Sequence, residues 1–94
     1  MATFAVQYTY TDDADRVRQH RREHREHLSE MHREGTLLLS GPLSDGPGAL
    51  LIVRAETAEA ALAALDGDPF QRERVIVDRQ CRQWDVVIGQ LPGA

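Results

Sequence analysis

The chain has 94 residues, one cysteine, a formal net charge of −4, and arginine at all 11 of its basic positions. This length fits one small domain over 1–94, the lone Cys81 excludes an intramolecular disulfide, and the absence of lysine excludes a lysine base or Schiff base. Because the chain lacks a basic excess, an apolar stretch near the ~20 residues of a membrane span, and an export leader, we expect a cytoplasmic protein without nucleic-acid or membrane partners.

The first two predicted elements are a strand and a long helix. Apolar and aromatic residues alternate in "TFAVQYTY", as they do in a half-buried strand. The next segment, residues 11–35, offers Thr11, Asp12 or Asp13 as the helix N-cap and ends at Gly35.

The middle of the chain predicts a hairpin and a second helix. The apolar runs "TLLLSGPL" and "ALLIVRA" flank "SDGPG", which has the composition of a turn. In "ETAEAALAALDG", Thr57 is a candidate cap and Gly67 a stop for a shorter helix.

The last run, "VIVDRQCRQWDVVIG", predicts a strand with an interruption. Val77 and Cys81 share one parity of the alternation, whereas Trp84 and Val86 share the other. A bulge or a break between the two sets would reconcile them. The residues that follow, about 90–94, form a short loose tail.

The element order is therefore β-α-β-β-α-β, which predicts an α+β ferredoxin-like sandwich. Such a sandwich has a four-stranded antiparallel sheet with both helices on one face. The other face carries apolar residues such as Leu50 and Ile52 and needs a cover. We expect a homodimer in which two sheets pack face to face.

The predicted first helix carries a histidine on its apolar stripe. At about 100° per residue, His24 projects between Val17 and Met31, and Arg21 lies at the edge of the same stripe. An inward histidine can be a hydrogen-bonded core residue, or it can be an acid or base in a cleft. The helical pattern leaves both interpretations open.

A metal site is the third possibility for this histidine run. His20, His24 and His27 follow one another at i, i+4 and i+7, so two of them could share an ion. No HExxH pattern, cysteine pair or acidic third ligand accompanies them. We therefore predict no metal ligands and no cofactor.

The second polar feature is "DGDPF", residues 66–70. Asp68 followed by Pro69 is the usual pairing of an N-cap acid with proline at the first helical position, and a cap alone would explain it. The segment also joins the second helix to the last strand, where it can fold over the cleft lined by the first helix. Asp68 would then pair with His24.

These motifs together resemble the YciI-like (YCII-related domain) family. In "RREHREHLSEMHREGTLLLSGPL" the resemblance rests on Arg21, His24, Gly35, Gly41 and Pro42. The family's second hallmark is matched by "DPF" after an Ala-rich helix. The resemblance runs from the first strand to Trp84.

The resemblance implies a dimeric ferredoxin-like α/β barrel with a His-Asp pair proposed as the active site. It also implies kinship with muconolactone isomerases and with a relative that removes chloride from a chlorinated hydroxyhydroquinone. His27 departs from the apolar or aromatic residues common at its place, and we therefore expect a more polar cleft.

The functional hypothesis is a lyase or isomerase-type enzyme acting on a small cyclic or unsaturated organic acid or phenolic compound. His24 would move a proton and Asp68 would orient its imidazole, while Arg21, Ser40 and Gly41 would contact the small-molecule ligand. The alternative is a non-catalytic ligand-binding or accessory module, in which these residues only satisfy one another.

Overall fold

The computed structural model of the chain describes residues 1–91, so that most of the predicted tail lies outside the described residues. The elements follow the predicted order, with one short helix added before the last strand. They are β1 (Ala2–Tyr10), α1 (Ala14–Arg33), β2 (Leu37–Pro42), β3 (Gly48–Ala55), α2 (Ala58–Leu65), α3 (Pro69–Arg72) and β4 (Ile76–Gln83).

The four strands form one antiparallel sheet in the order β2-β3-β1-β4. Residues of one parity in β1 are buried and pack in a single core with apolar residues of both α1 and α2, which places the two long helices on the same face of the sheet. The buried members in β1 are Phe4, Val6 and Tyr8. The predicted ferredoxin-like α+β fold is confirmed.

The ends of α1 follow from local chemistry. Asp13 is the N-cap, and its carboxylate accepts hydrogen bonds from the backbone N–H groups of Asp15 and Arg16. After the C-cap the chain reverses at Gly35, whose φ of 87° is readily adopted only by glycine. The reversal sends β2 back along the helix and forms one wall of a cleft.

The end of the chain resolves the two parities in the last apolar run. Strand β4 stops at Gln83, and the break falls where the parity changes. Trp84 follows directly and donates one more backbone hydrogen bond, of 2.8 Å, to the carbonyl oxygen of Thr3 in β1. A separate irregularity in the pairing of β1 with β4 lies between Thr9 and Tyr10. It lets Tyr10 pair with Ile76 at the end of the sheet that carries α3.

The face of the sheet opposite the helices is only partly covered. Leu39 and Leu50 on this face are 45% and 41% exposed, whereas Ile52 between them is buried. Within residues 1–91, no helix has the length and apolar character needed to cross a membrane.

Candidate active site

His24 lies on the inner side of α1, as the helical projection predicts. Its side chain is buried together with those of Leu28 and Met31, one and two turns further along the helix. Only 6% of the residue is exposed. A titratable side chain in this position needs a polar partner, because burying an unpaired imidazole costs free energy.

Asp68 supplies that partner, and it is completely buried. Both carboxylate oxygens lie 2.8 Å from Nδ1 of His24. One of them also accepts a hydrogen bond of 2.9 Å from the backbone N–H of Phe70, so Asp68 is the N-cap of α3, with Pro69 at the first helical position. The cap and the pairing with His24, weighed as alternatives from the sequence, coexist.

This pairing decides which nitrogen of His24 bears the hydrogen in a neutral imidazole. A carboxylate only accepts hydrogen bonds, so Nδ1 is the N–H donor, and in the neutral imidazole Nε2 then keeps its lone pair. Nε2 has no hydrogen-bond partner among the described residues. It is nevertheless accessible to solvent, unlike the fully buried polar atoms that lack a partner. Nε2 is therefore available to a bound molecule.

Two aromatic rings hold the imidazole in place. The ring of Phe70 stacks on His24 with a centroid distance of 3.8 Å and an interplanar angle of 6°. The ring of Tyr10 packs against Phe70 in a T-shaped arrangement, with a centroid distance of 5.2 Å. The short α3 thus fixes both the carboxylate and the face of the imidazole, which leaves little rotational freedom.

A cleft of about 780 Å³ opens between α1 and the hairpin formed by β2 and β3. His24 lines it, and so do the other predicted ligand contacts, Arg21, Ser40 and Gly41. Asp68 lies behind His24 and does not line the cleft. The structure thus gathers all five predicted site residues at one place, although they come from three separate segments of the chain.

The two tyrosines near the pair are held in their neutral form. Burial, followed by the nearby Asp68 carboxylate, raises the pKa of Tyr10 to about 12. The pKa of Tyr8 is raised even further by the same two causes, and its buried hydroxyl has no hydrogen-bond partner among residues 1–91. Tyr10, which lines the cleft, can therefore donate a hydrogen bond but cannot act as a phenolate at neutral pH.

Two basic residues of the cleft lining were missed by sequence reasoning. Arg25 follows Arg21 by one helical turn and lines the same wall. His32 also lines the cleft, and its Nδ1 lies 2.9 Å from the carbonyl oxygen of Leu37. The i+4 spacing from Arg21 could have indicated Arg25, whereas the Leu37 contact depends on how β2 folds back.

His27 does not make the cleft more polar, and that expectation is wrong. Its ring packs on the other side of α1, where a Cβ on Gly67 would lie 3.2 Å from its Cε1 atom. A side chain at position 67 would therefore require the His27 ring to shift by a few tenths of an ångström. No group of three or more potential metal ligands occurs among residues 1–91.

Cys81 lies away from the cleft, in β4. Its Sγ is 3.9 Å from the carbonyl oxygen of Ala58 at the start of α2. Burial raises the pKa of the thiol, so that the neutral form is favoured over the nucleophilic thiolate. Cys81 therefore contributes no nucleophile to the cleft, and the polar side chains that the cleft offers to a ligand are imidazole, hydroxyl and guanidinium groups.

The fold has a solved structural counterpart. A 5-chloro-2-hydroxyhydroquinone dehydrochlorinase from Burkholderia phenoliruptrix AC1100, solved in complex with 2,5-dihydroxybenzoquinone, superposes with a TM-score of 0.73. The match covers 88% of this chain and 93% of the dehydrochlorinase at 18% sequence identity, which establishes similarity of fold.

The search of curated proteins found no significant match. The family comparison is decisive, because the model of the YCII-related domain matches residues 1–85. This range contains every residue of the candidate site and all four strands. The chain therefore belongs to the YCII-related domain family.

Proposed function

We propose that this protein is a small-molecule enzyme of the lyase or isomerase type, with His24 as its proton-transfer group. The observation that carries the proposal is that the two nitrogens of the His24 imidazole have different surroundings. Nδ1 is held by the buried Asp68 carboxylate, whereas Nε2 is unpartnered beside a cleft. A purely structural histidine has no need to keep one nitrogen free.

The reaction would begin with transfer of a substrate proton to Nε2 of His24. The imidazole becomes an imidazolium, and Asp68 stabilises the new charge through the Nδ1–H hydrogen bond. In an isomerisation the same proton returns at another position of the conjugated system. In an elimination the C–H electron pair forms the new double bond, and the leaving group departs with its own bonding electrons.

Substrate binding would rely on the cleft walls. Arg21 would hold a carboxylate or phenolate, and the Ser40 hydroxyl and Gly41 backbone would contact the ligand where β2 ends. The cleft volume of about 780 Å³ lies within the roughly 300–1,000 Å³ of typical small-molecule sites. The fold neighbour binds a six-membered ring carrying oxygen substituents, and this supports a small cyclic or phenolic compound as substrate.

The alternative is a non-catalytic ligand-binding or accessory module. Its support is that Asp68 already serves as the N-cap of α3 and that His24 packs on Phe70, so the pair also stabilises the fold. In this interpretation the cleft binds a small molecule without converting it, and Nε2 of His24 only accepts a hydrogen bond from it.

We also propose a homodimer. The sheet face opposite the helices leaves Leu39 and Leu50 substantially exposed, and a second copy would cover them. Light scattering at micromolar concentration should give about twice the chain mass of 10.6 kDa. A monomer at that concentration would contradict the proposal.

The enzyme and binding-module proposals separate in a turnover screen. Chlorinated hydroquinones, lactones and small unsaturated acids are incubated with the wild-type protein and with His24→Gln, which keeps a polar side chain of similar length. We expect turnover of at least one compound and a loss of about 10²–10⁴-fold in His24→Gln. Equal activity of the two proteins would refute the role of His24.

The matched control for this screen is His20→Gln, one turn earlier on α1 and outside the cleft lining. It should retain wild-type activity. If no compound is converted but 2,5-dihydroxybenzoquinone binds to wild type and variant alike, the binding-module interpretation replaces the enzyme proposal.

A further inference from the structure

The arginines of α1 fall into two groups. Four of them contact an acceptor within the protein, either a carboxylate of α1 or, in one case, the backbone carbonyl of Glu73. The remaining two, Arg21 and Arg25, form no hydrogen bond or ion pair with any described residue, 1–91. The four with partners are Arg16, Arg18, Arg22 and Arg33.

The two arginines without partners are the two that line the cleft. Both also act on Tyr10 in the cleft wall, since their charges oppose the rise in its pKa. Their guanidinium groups are therefore near enough to the cleft to influence a group inside it. Arg18, Arg22 and Arg33 share an adjoining groove on α1 with the two cleft arginines, but none of these three lines the cleft.

No acidic residue balances this charge inside the cleft. The lining contains no aspartate or glutamate, although the whole chain has 15 acidic residues and a net charge of −4. Asp68 is shielded behind His24 and already holds its Nδ1 hydrogen. In a protein of this charge, a cleft whose polar side chains are all cationic or neutral favours an anion.

The spacing of the pair defines the kind of anion. Arg21 and Arg25 are four residues apart on α1, so their Cβ atoms lie about 5–6 Å from each other. Each guanidinium can bind two oxygens in a bidentate manner. Two such groups side by side suit a ligand that presents more than one ionised oxygen to the helix.

We propose that Arg21 and Arg25 together form the anion-binding part of the cleft, and that its ligand is a small unsaturated acid with at least two ionised oxygens. This inference rests on the proposed function for the identity of the site, and it adds Arg25 and the doubly charged substrate class. His24 lines the same cleft, so its Nε2 can contact another part of the same ligand.

The experiment measures binding by calorimetry with two quinones of similar shape. The first is 2,5-dihydroxybenzoquinone, in which each hydroxyl is conjugated to a carbonyl and is therefore acidic. The second is 2,5-dimethoxybenzoquinone, which cannot ionise. The proteins are wild type, Arg25→Gln and the control Arg22→Gln, whose arginine pairs with Glu26 and lies outside the cleft.

We expect wild type to bind the dihydroxy compound at least tenfold more tightly than the dimethoxy compound, and Arg25→Gln to lose about tenfold for the dihydroxy compound only. Arg22→Gln should bind as wild type does. Equal losses in Arg25→Gln and Arg22→Gln, or equal affinities of wild type for both quinones, would overturn the inference.

Failure of this inference is distinguishable from failure of the proposed function, because the two have different readouts. Normal dianion binding by Arg25→Gln, together with turnover that depends on His24, would reject the arginine pair and keep the enzyme proposal. Arginine-dependent dianion binding without any turnover would keep the pair and favour the binding module.

Discussion

Two aspartates are helix N-caps within residues 1–91, and their surroundings are opposite. Asp13 starts the 20-residue α1 at the surface, with its carboxylate exposed and bonded only to backbone N–H groups of the first turn. Asp68 starts the four-residue α3, is completely buried, and holds His24 as well as a backbone N–H. Burying a carboxylate costs several kcal/mol, far more than a cap contributes. The burial of Asp68 therefore has its reason in the pair with His24.

The largest expected effect is on stability. Asp68→Ala should lower the free energy of unfolding by about 3–5 kcal/mol, because it leaves the buried His24 without a partner and removes the cap of α3. Asp13→Ala should lower it by about 1 kcal/mol, as expected for a surface cap. Chemical denaturation measures both. Similar values for the two variants would show that Asp68 is only a cap.

A second prediction concerns the charge of the buried carboxylate. Burial and then the Asp68 charge raise the pKa of Tyr10 to about 12 from its ordinary 10.0. Asp68→Asn removes the charge and should lower the pKa of Tyr10, although burial should keep it above 10.0. Asp13→Asn should leave it unchanged. Absorbance of the phenolate during alkaline titration measures the pKa in each variant. The Tyr10→Phe variant identifies which part of the absorbance change belongs to Tyr10.

The same shift predicts how stability depends on pH. Since the folded-state pKa of Tyr10 is above its ordinary value, folding favours the neutral phenol. Its contribution is fully present below pH 10.0 and is lost as the pH rises towards about 12. In Asp68→Asn the pH range over which this contribution is lost should end at a lower pH. Denaturation at several alkaline pH values measures this range. An unchanged window would contradict the assigned cause.

The smallest expected effect is at Tyr8, whose hydroxyl is buried near Asp68 without a hydrogen-bond partner in the described chain. Tyr8→Phe removes an unsatisfied polar group and keeps the ring. The free energy of unfolding should stay the same or rise by up to about 1 kcal/mol. A clear fall in the free energy of unfolding would mean that the Tyr8 hydroxyl stabilises the buried Asp68 carboxylate. The exposed Asp13 carboxylate has no such neighbour among residues 1–91.

Much of the fold was predictable from the sequence, because periodicity and caps act locally. The alternation in β1, the Asp13 cap and the stop at Gly35 gave the first two elements, and the element order gave the sandwich. The inward direction of His24 followed from the helical projection and is confirmed by its burial.

The rest of the site depends on tertiary contacts that local patterns do not encode. Nothing in "DGDPF" distinguishes a buried cap from an exposed one, and His27 carries no local sign that it packs on Gly67 and not in the cleft. Arg25 is one of six arginines on α1, and it differs from Arg22 in lining the cleft and in having no partner among residues 1–91. These distinctions arise when α3 and β2 pack against the first helix.

The most direct test of the central claim is nitrogen NMR of the histidine side chains during titration with 2,5-dihydroxybenzoquinone. We predict that His24 bears a hydrogen at Nδ1, that its Nε2 resonance moves on binding, and that His20 is unaffected. A proton on Nε2 with Nδ1 bare, or ligand binding that leaves both nitrogens of His24 unchanged, would contradict it.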